Sequence, residues 1–157
     1  MNGSKKVIAA LNEALQEELT AVNQYFLHAE MCENWGYEKI AKSVKKLSMV
    51  EMKHAERLIE RILFLDGTPN MAAPLKLSIG TAVKQQLEND LNLELGAVKL
   101  YNKAMKLARA EGDNGSELLL ESILKDEEEH ADWQETQLSL LKEIGDQLYL
   151  TEQIKKE

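Results

Sequence analysis

Two copies of one short motif stand out among the residues that could do chemistry. "EMKHAE" begins at Glu51 and "EEEHAD" begins at Glu127, so each offers a Glu followed three residues later by a His. Residues three apart lie on the same face of an α-helix, which pairs Glu51 with His54 and Glu127 with His130. Carboxylates and imidazoles are ligands for divalent iron, manganese and zinc. Each motif therefore predicts a pair of metal ligands on one helix face.

A longer internal repeat adds one more acidic residue to each motif. "ELTAVNQY", which begins at Glu18, matches "ELGAVKLY", which begins at Glu94. The shift along the chain that takes Glu18 to Glu94 also takes Glu51 to Glu127, so the lone Glu precedes its Glu-x-x-His motif by the same interval in both halves. Each half of the chain therefore supplies one lone Glu and one Glu-x-x-His.

All of these polar residues interrupt apolar stripes with three- and four-residue steps, the pattern of a helix face that packs into a core. Glu18, for example, lies between Leu15 and Val22. Carboxylates crowded inside a core repel one another and are costly to desolvate unless cations join them. One Glu-x-x-His is common on solvated helices, but a repeated set at one level of a bundle predicts a site for two metal ions. The predicted ligands are Glu18, Glu51, His54, Glu94, Glu127 and His130.

The elements that must position these residues are helices. Apolar periodicity predicts four long helices, from about Ser4 to Trp35, Tyr37 to Leu65, Thr81 to Ala110 and Ser116 to Ile144, and a short fifth from about Asp146 to Ile154. Glycine-containing turns join the first helix to the second and the third to the fourth. The linker "DGTPNMAAPLKLSIG" holds both prolines and could reach about 50 Å, enough to follow helices of about 45 Å. We expect one domain over residues 1–157, an all-α four-helix bundle with a long crossover between helices two and three and a short fifth C-terminal helix.

Composition narrows the class of partner. The 157 residues carry a formal net charge of −8, which argues against nucleic acid and favours cations. No uninterrupted apolar segment approaches the length that spans a membrane. Cys32 is the one cysteine, so an intrachain disulfide is impossible, and this suits a reducing cytoplasm.

The sequence resembles the bacterioferritins over essentially the whole chain, through "NQYFLHA", "EMKHA", "ERILFLDGTPN" and "DEEEHADWQETQL" as well as the predicted ligands. The resemblance implies a shell of 24 identical subunits built from dimers, in which each subunit is a ferroxidase. Such a centre oxidises Fe(II) with dioxygen or peroxide, and the shell stores the ferric mineral. The resemblance also implies that the six residues bind a di-iron pair, with Glu51 and Glu127 bridging. It implies a redox-active role for Tyr25, which its chemistry alone explains equally well as a hydrogen-bonded core aromatic.

Met52 lies about 100° around the helix from Glu51, so it points outward if Glu51 points into the bundle. Chemistry alone favours packing at a subunit contact, because Met fills irregular gaps. The resemblance implies instead that Met52 from each of two subunits ligates one shared haem b, which would accept electrons from a small ferredoxin for iron release. The haem pocket would be lined by Leu19, Asn23 and Phe26, for which ordinary dimer packing is the alternative.

Two features depart from the family or from the repeat. The segment from Lys45 to Val50 lacks the His and acidic ligands that some bacterioferritins place on their inner surface, including at Lys46 and Val50, so core electrons would follow another route. His28 has no partner in the repeat, and we predict that it lies at the surface or an interface.

Two other functions stay open at this point. One is a haem-linked electron-transfer or peroxide-protection protein with little mineral storage. The other is a structural helical protein whose acidic stripe is solvated. A rubredoxin-type domain, as in rubrerythrins, is excluded because one Cys cannot build its metal site.

Overall fold

A computed structural model describes residues 1–154 of the chain, and it confirms the predicted all-α fold. No strand is found in that range, and none of its helices is both long and apolar enough to cross a membrane. The long helices begin and end within two residues of their predicted bounds, and the fifth is shorter than predicted. The elements are α1 (Lys5–Asn34), α2 (Glu38–Phe64), α3 (Val83–Ala110), α4 (Asn114–Ile144) and α5 (Asp146–Thr151).

Local sequence explains where the long helices begin and turn. The Ser4 side chain accepts a hydrogen bond from the Val7 backbone N–H at 3.4 Å and caps the start of α1, as predicted. Gly36 adopts a φ of +91° and Gly112 a φ of +73°, conformations that residues with a side chain rarely adopt. Asp113 then caps α4 by accepting from the backbone of the helix's first turn. The two glycine turns therefore make two antiparallel hairpins, α1–α2 and α3–α4.

The hairpins pack into a bundle through contacts that run in opposite order along the chain. Between α2 and α4, Arg57 Nη2 donates to Ser122 Oγ at 2.6 Å, and one turn later Arg61 Nε donates to Ser116 Oγ at 3.0 Å. Arg61 also pairs with Asp113 at 2.8 Å, which ties the end of α2 to the turn before α4. These pairs show that α2 and α4 are antiparallel neighbours.

The apolar core has two parts. One cluster includes Leu11, Leu15, Leu58, Ile62, Leu120 and Ile123. The other cluster includes Tyr25, Ile40, Val44, Leu87, Leu141 and Tyr149. The predicted metal ligands fall between the two clusters along each helix, so the bundle sandwiches a polar layer between two apolar ones.

The crossover, residues 65–82, follows α1 and is held by polar side chains of that helix. Asn12 Oδ1 accepts a hydrogen bond from the Asn70 backbone N–H at 2.7 Å. One turn on, Gln16 Nε2 donates to the Pro74 carbonyl at 2.9 Å. Because the contacts advance along both segments together, the crossover travels the length of the bundle as predicted.

His28 corrects the sequence analysis, because the prediction that it lies at the surface or an interface is wrong. Its relative exposure is 0%, since the crossover and α3 cover it. His28 Nδ1 lies 2.9 Å from Asp90 Oδ1, and Nε2 accepts a hydrogen bond from the Gly80 N–H at 3.0 Å. Gln24 acts in parallel, since its Nε2 donates to Asp90 Oδ1 and its Oε1 accepts from the Ser78 N–H. Asp90 therefore orients two side chains that hold the end of the crossover.

Candidate metal centre

The fold brings all six predicted ligands together in the buried middle of the bundle. One group of potential metal ligands contains Glu18, Glu51, His54 and Glu127, and the other contains Glu51, Glu94, Glu127 and His130. Within each group, one ligand atom per residue lies within 4.8 Å of the others. Because Glu51 and Glu127 belong to both groups, their carboxylates lie between two neighbouring cation positions.

The imidazoles face carboxylates from both halves of the chain. His54 Nδ1 lies 3.3 Å from Glu18 Oε2 and 3.0 Å from Glu127 Oε1. His130 Nδ1 lies 3.1 Å from Glu51 Oε1, in the same relation to the other half. Each imidazole therefore meets the Glu-x-x-His carboxylate of the opposite hairpin.

The same residues contain buried polar atoms that have no hydrogen-bond partner. Leaving such an atom unsatisfied costs about 1–3 kcal/mol, and more if the group is charged. Gln134 Oε1 is the one further atom of this kind among the described residues. The six atoms are Glu18 Oε2, Glu51 Oε1, His54 Nδ1, Glu94 Oε2, Glu127 Oε1 and His130 Nδ1.

This donor set fits a pair of divalent cations. Each of the two positions would receive three carboxylate oxygens and one imidazole nitrogen, a mixture that suits iron, manganese or zinc. Four carboxylates also balance the charge of two divalent ions. A bound pair would therefore satisfy the six unpartnered ligand atoms and remove the repulsion among the carboxylates.

When no metal is bound, protons on the ligands compensate the negative charge that cations would otherwise balance. Burial, followed by the effect of neighbouring carboxylates, raises the pKa of Glu51 and of Glu127 well above the ordinary 4.5. Burial lowers the pKa of His54, but contacts with the Glu127 and Glu18 carboxylates outweigh it and raise the value from 6.5 to about 10. The metal-free centre therefore holds protons that a cation must displace.

Two fully buried tyrosines hold the lone glutamates. The Tyr25 hydroxyl donates to Glu94 Oε1 and accepts from Gln134 Nε2. The Tyr101 hydroxyl donates to Glu18 Oε1 at 2.6 Å. Burial, and then the nearby carboxylates, raise the pKa of both phenols well above 10, so both stay protonated donors. Tyr25 thus lies beside the centre, whereas Tyr101 was missed, although it is the repeat counterpart of Tyr25.

Asp126 is a second residue that sequence reasoning missed. Its Oδ2 lies 2.8 Å from His54 Nε2, on the side of the ring away from the carboxylates. A carboxylate there keeps the proton on Nε2 and leaves Nδ1 free for a metal ion. The only sequence signal is that Asp126 begins an acidic run, "DEEE", in which no position stands out.

The outer face of α1 and α2 carries the residues predicted to bind haem. Met52 is 48% exposed and Phe26 is 44% exposed, so the outward direction predicted for Met52 is confirmed. Asn23 is also exposed and donates to the Leu19 carbonyl of its own helix. Leu19 is half-buried and packs in part against the core. Met52 therefore offers an exposed thioether on the outer face of α2.

Sequence comparisons show which known proteins this chain resembles. Residues 8–144 match the family profile described as the ferritin-like domain. The chain is 44% identical over 149 residues to the bacterioferritin of Mycobacterium leprae, covering 95% of this chain and 94% of that protein. It is 43% identical over 151 residues to that of Streptomyces coelicolor, covering 96% and 90%. It is also 45% identical over 149 residues to that of Brucella melitensis, covering 95% and 92%.

Proposed function

The chain belongs to the bacterioferritins, within the ferritin-like proteins, and from this membership we propose that it stores and detoxifies iron as a ferroxidase. Its substrate is Fe(II), its oxidant is dioxygen or peroxide, and its product is a ferric mineral. The mineral is kept inside a cytoplasmic shell of 24 copies of this single-domain chain, built from dimers.

The observation that supports a di-iron centre is the convergence of six orphaned ligand atoms in one buried layer. Glu18 and His54 bind one Fe(II), and Glu94 and His130 bind the other. Glu51 and Glu127 bridge the two ions. Four protein ligands at each position leave room for the oxidant, as open positions do in non-haem iron enzymes.

The chain's residues position the substrate and manage charge. The carboxylates bring two Fe(II) ions close together, so that each can give one electron to the same oxidant molecule. The Tyr25 hydroxyl donates a hydrogen bond to Glu94. Oxidation of Tyr25 would supply one further electron, and the hydroxyl proton would pass to the Glu94 carboxylate. The apolar clusters above and below the layer exclude bulk water, which strengthens these electrostatic contacts.

The same proposal includes one haem b between two subunits, held by Met52 of each. A thioether is a soft ligand for haem iron, and Met52 presents one at an exposed position on α2. A haem there would carry electrons from a small ferredoxin for reductive release of iron.

The test compares the wild type with the Glu18→Ala/Glu127→Ala double variant, which removes one lone and one bridging carboxylate. We expect the initial rate of Fe(II) oxidation, followed by ultraviolet absorbance, to fall by at least about 100-fold, more than losing a single outer-shell partner costs. The matched control is Glu128→Ala, which removes an exposed carboxylate next to Glu127 and should keep the wild-type rate. Undiminished oxidation in the double variant would end the di-iron proposal.

A further inference from the structure

We propose that Tyr101 is a positioning residue of the metal centre, which holds one oxygen of Glu18 so that the other oxygen faces the cation. The inference rests on the proposed function, because it requires cations at the six-residue centre. Tyr101 lies on α3, and the ligand that it holds, Glu18, lies on α1.

The two oxygens of Glu18 have different surroundings. Oε1 accepts the Tyr101 hydroxyl at 2.6 Å, whereas Oε2 has no hydrogen-bond partner and lies 3.3 Å from His54 Nδ1. Glu18 and Tyr101 are 1% and 0% exposed, so water does not compete for the bond. The hydrogen bond therefore fixes which oxygen is left for a metal ion.

The other half of the chain repeats this arrangement. Glu94 Oε1 accepts the Tyr25 hydroxyl, and Glu94 Oε2 is again without a partner. The repeat shift that takes Glu18 to Glu94 also takes Tyr25 to Tyr101, and each tyrosine binds the glutamate of the opposite half. Each lone glutamate therefore has one held and one free oxygen, although at Glu94 it is the held Oε1 that lies 3.4 Å from His130 Nδ1.

The split has a chemical consequence for the metal ion. A glutamate with both oxygens free can bind one cation through both, which occupies an extra coordination position, or it can turn away. A glutamate with one oxygen held by a phenol binds through the other and leaves that position open. Tyr101 thereby keeps Glu18 a one-oxygen ligand at the His54 position.

Tyr101 differs from Tyr25 in having a single task. Gln134 donates to the Tyr25 hydroxyl at 2.7 Å, but the repeat places Leu58 at the corresponding position, and Leu58 cannot donate. Within residues 1–154, the Tyr101 hydroxyl makes its one hydrogen bond with Glu18. Tyr101→Phe therefore removes that bond alone and keeps the ring.

The experiment titrates Co(II), which is not oxidised by air at these ligands, into the metal-free assembled protein. In Tyr101→Phe we expect Co(II) to bind about tenfold more weakly at the His54 position, because residues that hydrogen-bond a metal ligand affect metal affinity by about this factor. The visible d–d spectrum of the bound Co(II) should change as well. Tyr25→Phe should weaken the other position by a similar factor. Tyr149→Phe is the matched control, because this buried phenol donates to Gln137, outside the centre, and its loss should change neither position.

A double-variant cycle separates positioning from packing. In a Glu18→Gln background, Tyr101→Phe should have no further effect on Co(II) binding or on the spectrum. An equal further loss in that background would overturn the inference, because the hydroxyl would then act through something other than Glu18. Wild-type binding and spectrum in Tyr101→Phe would overturn it too, while leaving the proposed function intact. A wild type that binds no Co(II) would instead remove the proposed function itself.

Discussion

The two halves of the bundle, α1–α2 and α3–α4, agree at the centre and differ around it. The single shift that defines the repeat superposes the six candidate ligands, and it also superposes the two tyrosines that hold the lone glutamates. The need to balance two cations explains the agreement, because losing one ligand from either half would leave buried charges uncompensated. The matched pairs are Glu18 with Glu94, Tyr25 with Tyr101, Glu51 with Glu127 and His54 with His130.

Immediately outside the centre, the halves are no longer equivalent. Asp126 contacts His54, but the position that would contact His130 is Val50. These differences change how firmly a ligand is held and not which ligands are present. The comparison therefore separates residues that charge balance dictates from residues that tune the centre.

The largest difference lies at the two ends of the bundle. One end has a buried polar network, while the corresponding positions at the other end are apolar and belong to or pack against the core. The crossover explains this, because its backbone N–H groups need acceptors where it ends over α1, and within residues 1–154 no such segment covers the corresponding part of α3. The corresponding pairs are Gln24 with Leu100, His28 with Ala104 and Asp90 with Ala14.

The largest expected effect tests what the halves share, which is the demand for two cations. At Co(II) concentrations about 100 times the dissociation constant, each site contributes about 2.7 kcal/mol, or about 5 kcal/mol together. For a chain of this length we expect calorimetry to show a midpoint roughly 10–20 °C higher than without metal. Glu18→Ala and Glu94→Ala should each remove a similar part of that gain. A gain lost from only one variant would break the equivalence of the halves.

The pH dependence of the same gain follows from the pKa shifts. The pKa of Glu51 and Glu127 is raised in the fold, so as pH rises above 4.5 the unfolded chain loses these protons first and the metal-free fold loses stability. The pKa of His54 rises from 6.5 to about 10, so its contribution is complete below 6.5 and is lost as pH rises through about 10. Cations need deprotonated ligands. The gap in midpoint between loaded and free protein should therefore widen between about pH 6 and pH 8, and a constant gap would contradict this linkage.

The next largest effect tests the buried network of Gln24, His28 and Asp90, whose counterpart at the other end of the bundle is apolar. Asp90→Ala removes the shared acceptor of His28 and Gln24, leaving two buried side chains unsatisfied, and we expect a loss of about 3 kcal/mol in the free energy of unfolding by urea. Asp90→Asn keeps one acceptor oxygen and should lose less. The matched control is Glu88→Ala, an exposed carboxylate on the same helix, which should change stability by less than about 0.5 kcal/mol. A loss as small for Asp90→Ala would mean that the network does not stabilise the fold.

The same contrast shows how far the sequence could be interpreted. The six candidate ligands were predictable because each breaks a helical stripe and recurs at the same shift, and the stripe also placed Met52 outward. The burial of His28 was not predictable, because periodicity describes helices and carries no information on where a crossover without periodicity comes to rest. Asp126 was hidden for another reason, since one acidic residue in an acidic run gives no sign of which one faces an imidazole.

The smallest expected effect tests the difference between Asp126 and Val50. Asp126→Ala removes the partner of His54 Nε2, so the ring can turn and hold its proton on either nitrogen. Hydrogen-bond partners of metal ligands change metal affinity by about 10–100-fold. The Asp126 side chain is 38% exposed, so water can replace part of its contact with His54. We therefore expect Co(II) to bind about fivefold more weakly at the His54 position. The His130 position should be unchanged.

The reverse substitution, Val50→Asp, supplies the carboxylate that the repeat lacks beside His130. If the geometry of the two halves is equivalent, Co(II) binding at the His130 position should tighten by about threefold, again below the full outer-shell effect. Glu129→Ala is the charge control for Asp126→Ala, because it removes an exposed acidic residue from α4 that contacts neither imidazole of the centre. If Asp126→Ala and Glu129→Ala weaken both positions alike, Asp126 acts only through its negative charge, and the two halves hold their imidazoles equally well.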